Sequence, residues 1–538
     1  MADLEPLLDE FFAFWWRTHP TEATAAGLHE YDGELERYDA ASLDEKARHL
    51  RQYLEVFRRH APSSPVETLD VELVRSRIAW ELYELEEVRL LERSPLHYVE
   101  GPLNALYLVA VREYAPAAER ARRAAERLRA LPRLLDESRE NLRNAAPVLV
   151  EAGAQVARSG LGLVGQVLPL HLGRALEDDA HEFAEWENAR RAAESALASY
   201  AQWLEEELAP RATGDFALGR VAFETRLRYA HGLADTADSL VEYGEALKRE
   251  TECALDEVAE GLDGGGRGWR DVYDRLRADH PAAHELLDAY ADAVARARAF
   301  VVERGLATPP PGEALDVIAT PEYLRPLIPY AAYQPPAPHE TEQRGLFFVT
   351  VPAPDAEEVL REHSVYGIPI TALHEAYPGH HLQLSWANRA DTEPRRAFWT
   401  PIFAEGWALY CEELMWEQGF YTDPRERLFQ LRDLLWRACR IIVDVGLHAR
   451  GWRPEQAVDF LVREAALERE SAEIEVRRYC ADATYPMSYA VGKREILRLR
   501  ELYRERAGTA FRLGVFHDRL LKWGTIPPSL IARVMGLG

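Results

Sequence analysis

His374-Glu375-Ala376-Tyr377-Pro378-Gly379-His380-His381 places three imidazoles and one carboxylate within a single short stretch. A catalytic zinc centre needs three protein ligands and one open position. The common helical solution is HExxH, with two histidines one turn apart and a glutamate poised to deprotonate water. Here Pro378-Gly379 is inserted before the next histidine. On a straight helix each residue turns about 100°, so His380 would leave the face of His374. His381 would keep that face but sit roughly 10 Å further along the axis. Pro378 cannot donate an N–H to the carbonyl of His374, and its ring pushes that carbonyl away. Gly379 tolerates unusual dihedrals. A local widening of the helix is therefore predicted, bringing His380 to the second ligand position, with His381 as the open alternative.

The third ligand is expected from a following helix. Phe403-Ala404-Glu405-Gly406-Trp407-Ala408-Leu409-Tyr410 offers Glu405, with enough chain after His380 for a helix, a connection and a return helix. Glu412 and Glu413 compete for the role but read as a solvated face. Other His-Glu pairs, such as those at His29, His284 and His339, have no later histidine at useful spacing. Gly160-Leu161-Gly162-Leu163-Val164-Gly165 matches GxGxxG, but no strand-like run precedes it and no acid follows at the right place. It reads as a loop or helix junction.

Outward from the motif, helical patterning dominates. Pro116 suits the first position of a helix, and Ala121, Ala124, Leu128, Leu131 and Leu135 follow at spacings of three and four, with a bend expected at Pro132. Pro281 to Gly305 repeats the punctuation, with Leu286, Tyr290, Ala293, Ala297 and Val301 as its buried stripe. Asp263 to Gly268 is a glycine-rich loop. From Ala307 to Glu342 prolines crowd the chain, among them Pro326 and Pro329, interleaved with Tyr323, Tyr330 and Tyr333. This segment is expected as extended chain over the surface. Leu346 to Val351 is the best strand candidate, and its edge could take an extended peptide. The expected class is mainly α, with a small β element near 346–351. Residues 1–306 are expected as a helical wall or lid and residues 307–538 as the catalytic region, the two forming one continuous structural unit.

The 538 residues carry a net charge of −26, with 47% hydrophobic and 29% charged residues. So acidic a chain repels nucleic acid and anionic membranes, so neither is expected as a partner. The four cysteines form no CxxC pair, which argues against a disulfide framework. No basic, then apolar leader is visible, and no apolar run reaches 18 residues. A cytoplasmic location is expected.

Several segments together resemble one family. His374 to Gln383 reads HEAYPGHHLQ, Glu405 to Tyr410 EGWALY, Arg440 to His448 RIIVDVGLH, Glu475 to Tyr479 EVRRY and Ser488 to Gly492 SYAVG. Weaker similarity reaches back to Pro20-Thr21-Glu22 and Gly27 to Asp32. Over nearly the whole chain this resembles bacterial domain-of-unknown-function family eight-eight-five, placed with the gluzincin-like metallopeptidases. The resemblance implies a large helical zincin-like fold with a deep cleft. It also implies one zinc ion per chain on His374, His380 and Glu405, Glu375 as general base, and a short peptide or other small amide as substrate.

In such a site Glu375 would take a proton from the attacking water and return it to the leaving amine. Tyr489, His448 and Tyr485 are candidates for stabilising the oxyanion. Asp444 lies one helical turn from His448 and could orient it; Tyr489 and Lys493 are spaced likewise. Arg478, or its neighbour Arg477, could hold a substrate carboxylate by its planar fork. The rivals are a hydrolase of a non-peptide amide, a helical di-iron oxidoreductase, for which no convincing ExxH pairs occur, and a non-catalytic binding protein.

Overall fold

The computed structural model describes the chain except residues 1–3, 265, 322–324, 326, 327, 329, 354, 355 and 538. Tyr323, Pro326 and Pro329 of the proline-rich segment thus lie outside the described residues. The protein is mainly helical with one small sheet. Its backbone gathers into two compact units, Met1–Leu218 with Ala337–Thr341, and Gly219–Pro336 with Glu342–Gly538. The division falls at 218 and not at the anticipated 306, because the helix Leu286–Glu303 packs on Ile368–Glu375 and on the sheet.

In the first unit the helix Ala117–Asn141 starts directly after Pro116 and buries Ala121, Ala124, Leu128, Leu131 and Leu135, the stripe read from spacing. These side chains join Trp186, Tyr200 and the leucines of neighbouring helices in one core. Each buried leucine there contributes about 1.5–3 kcal/mol. The GxGxxG segment ends the helix Pro147–Gly162 and enters a wider turn, Leu163–Val167. A Cβ at Gly160 would come within 2.7 Å of Leu103; this glycine serves close helix packing.

In the second unit Leu286–Glu303 buries Leu286, Tyr290, Ala293, Ala297 and Val301 as expected. The proline-rich segment departs from expectation. It contains two strands, β1 (Ala314–Ala319) and β2 (Ala331–Gln334), which flank β3 (Arg344–Val349). β3 runs parallel to β1 and antiparallel to β2. It is therefore the central strand, its hydrogen-bonding edges already occupied, and the expected free edge is not there. Phe347, Phe348 and Val349 are buried, as a central strand requires.

Two buried helices hold the rest in place. Pro401–Glu417 starts at Thr400, whose hydroxyl accepts the N–H of Ile402, with proline at the first helical position. It crosses Ser488–Ala507 at a pair of glycines. A Cβ on Gly406 would lie 2.4 Å from the Gly492 backbone, and one on Gly492 would lie 1.9 Å from the carbonyl of Ile402. Only glycine permits this approach, and it sets Glu405 of one helix against the aromatic N-terminal turn of the other. Among the described residues no helix is long and apolar enough to cross a membrane.

Candidate metal centre

The proline–glycine pair breaks the helix; the widening anticipated from the sequence does not occur. Ile368–Glu375 stops at Ala376, with φ −112° and ψ −92°, and a second helix, His380–Ala387, starts after Gly379. The N–H of Gly379 bonds the Leu373 carbonyl at 3.0 Å. A Cβ there would fall 1.9 Å from the carbonyl oxygen of His374, so the chain folds back tightly only because residue 379 has none. The Tyr377–Pro378 peptide is cis. Trp407, from the facing helix, donates its indole N–H to the Pro378 carbonyl at 2.7 Å.

This turn brings the His380 ring to 4.9 Å from the His374 ring, nearly perpendicular to it. Glu405 completes a triad whose ligand atoms all lie within 4.8 Å of one another. Oε2 of Glu405 is 3.3 Å from Nε2 of His380 and 3.9 Å from Nε2 of His374. Oε2 of Glu405 and Nδ1 of His380 are sealed from solvent and make no hydrogen bond among the described residues. Burial opposes the charge on Glu405, but His380, His374 and Tyr485 hold its carboxyl down to about 2. Burial likewise opposes protonation of His380, yet Glu405, Glu375 and Glu412 raise its pKa. Two imidazoles and an ionised carboxylate around an orphaned oxygen suit a divalent cation.

His381 does not compete for the position. Its Nε2–H donates to Glu313 at 2.7 Å and its Nδ1 accepts the Tyr333 hydroxyl at 2.9 Å. Glu313 also accepts the Tyr377 hydroxyl at 2.5 Å and pairs with Arg298. Gly345 on β3 makes room, since a Cβ there would come within 2.7 Å of His381 and closer still to Tyr333. Sequence reasoning found none of these partners, because Glu313 and Tyr333 lie in the proline-rich segment and reach His381 only through the sheet.

Two supports flank the triad. Oε1 of Glu412 lies 2.8 Å from Nδ1 of His374. Glu412 is 1% exposed, which corrects its reading as part of a solvated face. Its neighbour Glu413 pairs with Arg427 and Lys493, so the Tyr489–Lys493 spacing serves an ion pair instead. Tyr485 donates its hydroxyl to Oε1 of Glu405 at 2.5 Å. The Tyr489 ring stacks 6.3 Å from that of His374 and meets Tyr485 edge-on; burial, then Glu405, push its pKa up to about 12. Glu375 ends the first motif helix half-buried. No side chain pairs with it among the described residues, while its charge is felt by His380, Tyr290 and Tyr333.

Two expected site residues are engaged elsewhere. His448 is buried and its Nε2–H donates to the carbonyl of Tyr479 at 2.7 Å. Asp444 is engaged with the backbone. The carboxylate accepts the N–H groups of Thr484 and Met487, closing the turn before Ser488–Ala507. Arg478 is exposed and pairs with Glu475 at 2.8 Å. A one-turn spacing shows that two residues share a helix face, not that they choose each other as partners.

The family model for "Bacterial protein of unknown function (DUF885)" matches residues 20–535. A solved protein from Shewanella oneidensis, described as a "putative lipoprotein of unknown function", superimposes with a TM-score of 0.83 at 22% identity, covering 99% of this chain and 100% of its own. Another, described as a "putative lipoprotein" from Colwellia psychrerythraea, gives 0.81 at 18% identity over 97% and 96% of the two chains. At such identities they share the fold. No curated protein matches the chain.

Proposed function

Because the chain belongs to the DUF885 family of bacterial proteins and carries a buried His374–His380–Glu405 triad beside an unpaired Glu375, we propose that it is a zinc-dependent hydrolase of amide bonds acting on short peptides. The observation that carries this reading is the triad with Glu375 next to its first ligand. His374, His380 and Glu405 would hold the ion, a mixed nitrogen–oxygen set of the kind that catalytic zinc takes. Lewis-acid activation of water and of an amide carbonyl is the chemistry zinc supplies when bound there. This ligand order, two histidines around a helix end and a downstream glutamate, is the basis for reading the helical fold as zincin-like.

Glu375 is the base in this reading: it follows His374 directly in the chain, and its charge reaches His380. It holds a proton taken from water and delivers it to the leaving nitrogen. Its freedom from structural pairing leaves both carboxylate oxygens for that work. The Tyr485 hydroxyl is committed to Glu405, so it positions the ligand carboxylate. Tyr489, stacked on His374, is left to donate to the developing oxyanion, a contribution of about 10²–10³ in rate.

The test is Glu375→Gln. It should retain the metal and lose hydrolysis of a short-peptide library. A variant with near-wild-type turnover removes Glu375 from the role; a wild-type protein that binds zinc but cleaves no peptide removes the peptidase reading.

A further inference from the structure

The long helix Pro424–Ala449 carries Arg440 into the protein, where it is 4% exposed. Among the described residues it makes no hydrogen bond and no ion pair, and its Nε is sealed from solvent without an acceptor. Its guanidinium carbon lies 4.2 Å from the Tyr489 ring centroid and 5.1 Å from that of Tyr479. Glu475 feels its charge, but no hydrogen bond or ion pair joins the two: one Glu475 oxygen accepts from Arg478 and the other is buried without a hydrogen bond among the described residues. Arg437, one turn earlier, also faces the Tyr489 ring, at 5.6 Å; its Nε is orphaned, while its Nη1 lies 3.6 Å from Asp433 in a loose ion pair.

A buried guanidinium without an acceptor is costly, because aromatic faces replace only part of its lost hydration. The cost falls when an anion arrives to accept its N–H groups. Tyr489 places this charge one ring away from His374. The two contacts, 4.2 Å and 6.3 Å, set the upper limit on that interval, and at about 3.3–3.6 Å per residue one or two residues of extended substrate, together with the terminal carboxylate, fit within it.

We propose that Arg440, assisted by Arg437, receives the C-terminal carboxylate of the substrate, so that the bond cleaved lies one or two residues from a free C-terminus. This rests on the hydrolase reading for the cleavage but not for the binding. It moves carboxylate recognition from Arg478, which is exposed and paired, to an arginine whose donors are unspent.

The experiment measures binding by calorimetry to zinc-loaded Glu375→Gln protein, which should hold substrate without turning it over. The probes are N-benzoyl-Gly-Ala as the free acid, the same compound as its amide, and N-benzoyl-Gly-Asp-amide, whose only carboxylate is on the side chain. The free acid is expected to bind roughly 10–100-fold more tightly than its amide, the range of a charge-assisted hydrogen bond. Arg440→Met in that background should abolish the difference. Arg440→Lys, which keeps the charge but not the fork, should keep part of it, and melting curves establish that each variant folds. Equal binding of acid and amide, a preference that survives Arg440→Met in a folded protein, or no binding of any probe overturns the proposal. Tighter binding of the Asp-amide than of the free acid overturns the C-terminal assignment. An Arg440-dependent preference in a protein that cleaves nothing leaves this site standing and removes the hydrolase reading.

Discussion

Oε1 of Glu412 sits 2.8 Å from Nδ1 of His374, and both side chains are buried. The contact fixes the imidazole with Nδ1 protonated and turns Nε2 towards Glu405. Such outer partners typically contribute 10–100-fold in metal affinity. Glu412→Ala is therefore expected to weaken zinc binding by about that factor, and Glu412→Gln by less, since its amide oxygen still accepts the proton. Competition against a chelator measures it; unchanged affinity in Glu412→Ala would show that the pair does not orient the ligand.

The Gly406–Gly492 crossing should be intolerant of any side chain. Gly492→Ala places a Cβ 1.9 Å from a backbone oxygen, where only the helices themselves can yield. A cost of about 1–3 kcal/mol or more is expected, read as a lower melting temperature. Glu405 and Tyr489 flank the crossing, so zinc content should fall too. Wild-type melting and wild-type zinc in Gly492→Ala would contradict the account of this contact.

Tyr485→Phe removes the hydroxyl bonded to Glu405 without disturbing the ring. It is expected to loosen metal binding more than Tyr489→Phe, which should instead lower turnover with metal retained. The reverse pattern would exchange the roles of the two tyrosines.

Much of this centre was legible from residue order. His374, Glu375, His380 and Glu405 stand at spacings that chemistry restricts, and the buried stripes of Ala117–Asn141 and Leu286–Glu303 follow helical period. The rest depended on contacts between distant segments. A helix break and a helix widening both answer the same proline, and only the room around Gly379 and the Trp407 bond separate them. Glu412 beside Glu413 looks solvated until the neighbouring helices cover it. β1 and β2 are short runs beside prolines, with no alternation to announce them. Asp444 and His448 have the spacing of a pair, yet each finds a backbone partner first.

His231 supplies a pH dependence away from the metal. Its ring joins the hydroxyls of Thr400 and Thr484, and burial drives its pKa down to about 3. The folded protein keeps it neutral while the unfolded chain protonates it near 6.5. Its contribution is thus full above about 6.5 and is lost as pH falls towards 3, by up to about 1.4 kcal/mol per unit. Melting temperature, measured with chelator present to exclude metal loss, should drop on going from pH 7 to pH 5. His231→Gln should be less stable at pH 7 and show a shallower drop. Parallel drops in the two proteins would sink this assignment.

The most direct measurement is zinc per chain by elemental analysis, in the wild type and in His374→Ala, His380→Ala, His381→Ala and Glu405→Ala. One zinc in the wild type is expected, with loss in the His374, His380 and Glu405 variants and retention in the His381 variant. A wild-type protein that binds no divalent metal, or a His380 variant that keeps its zinc while the His381 variant loses it, would contradict the centre described above.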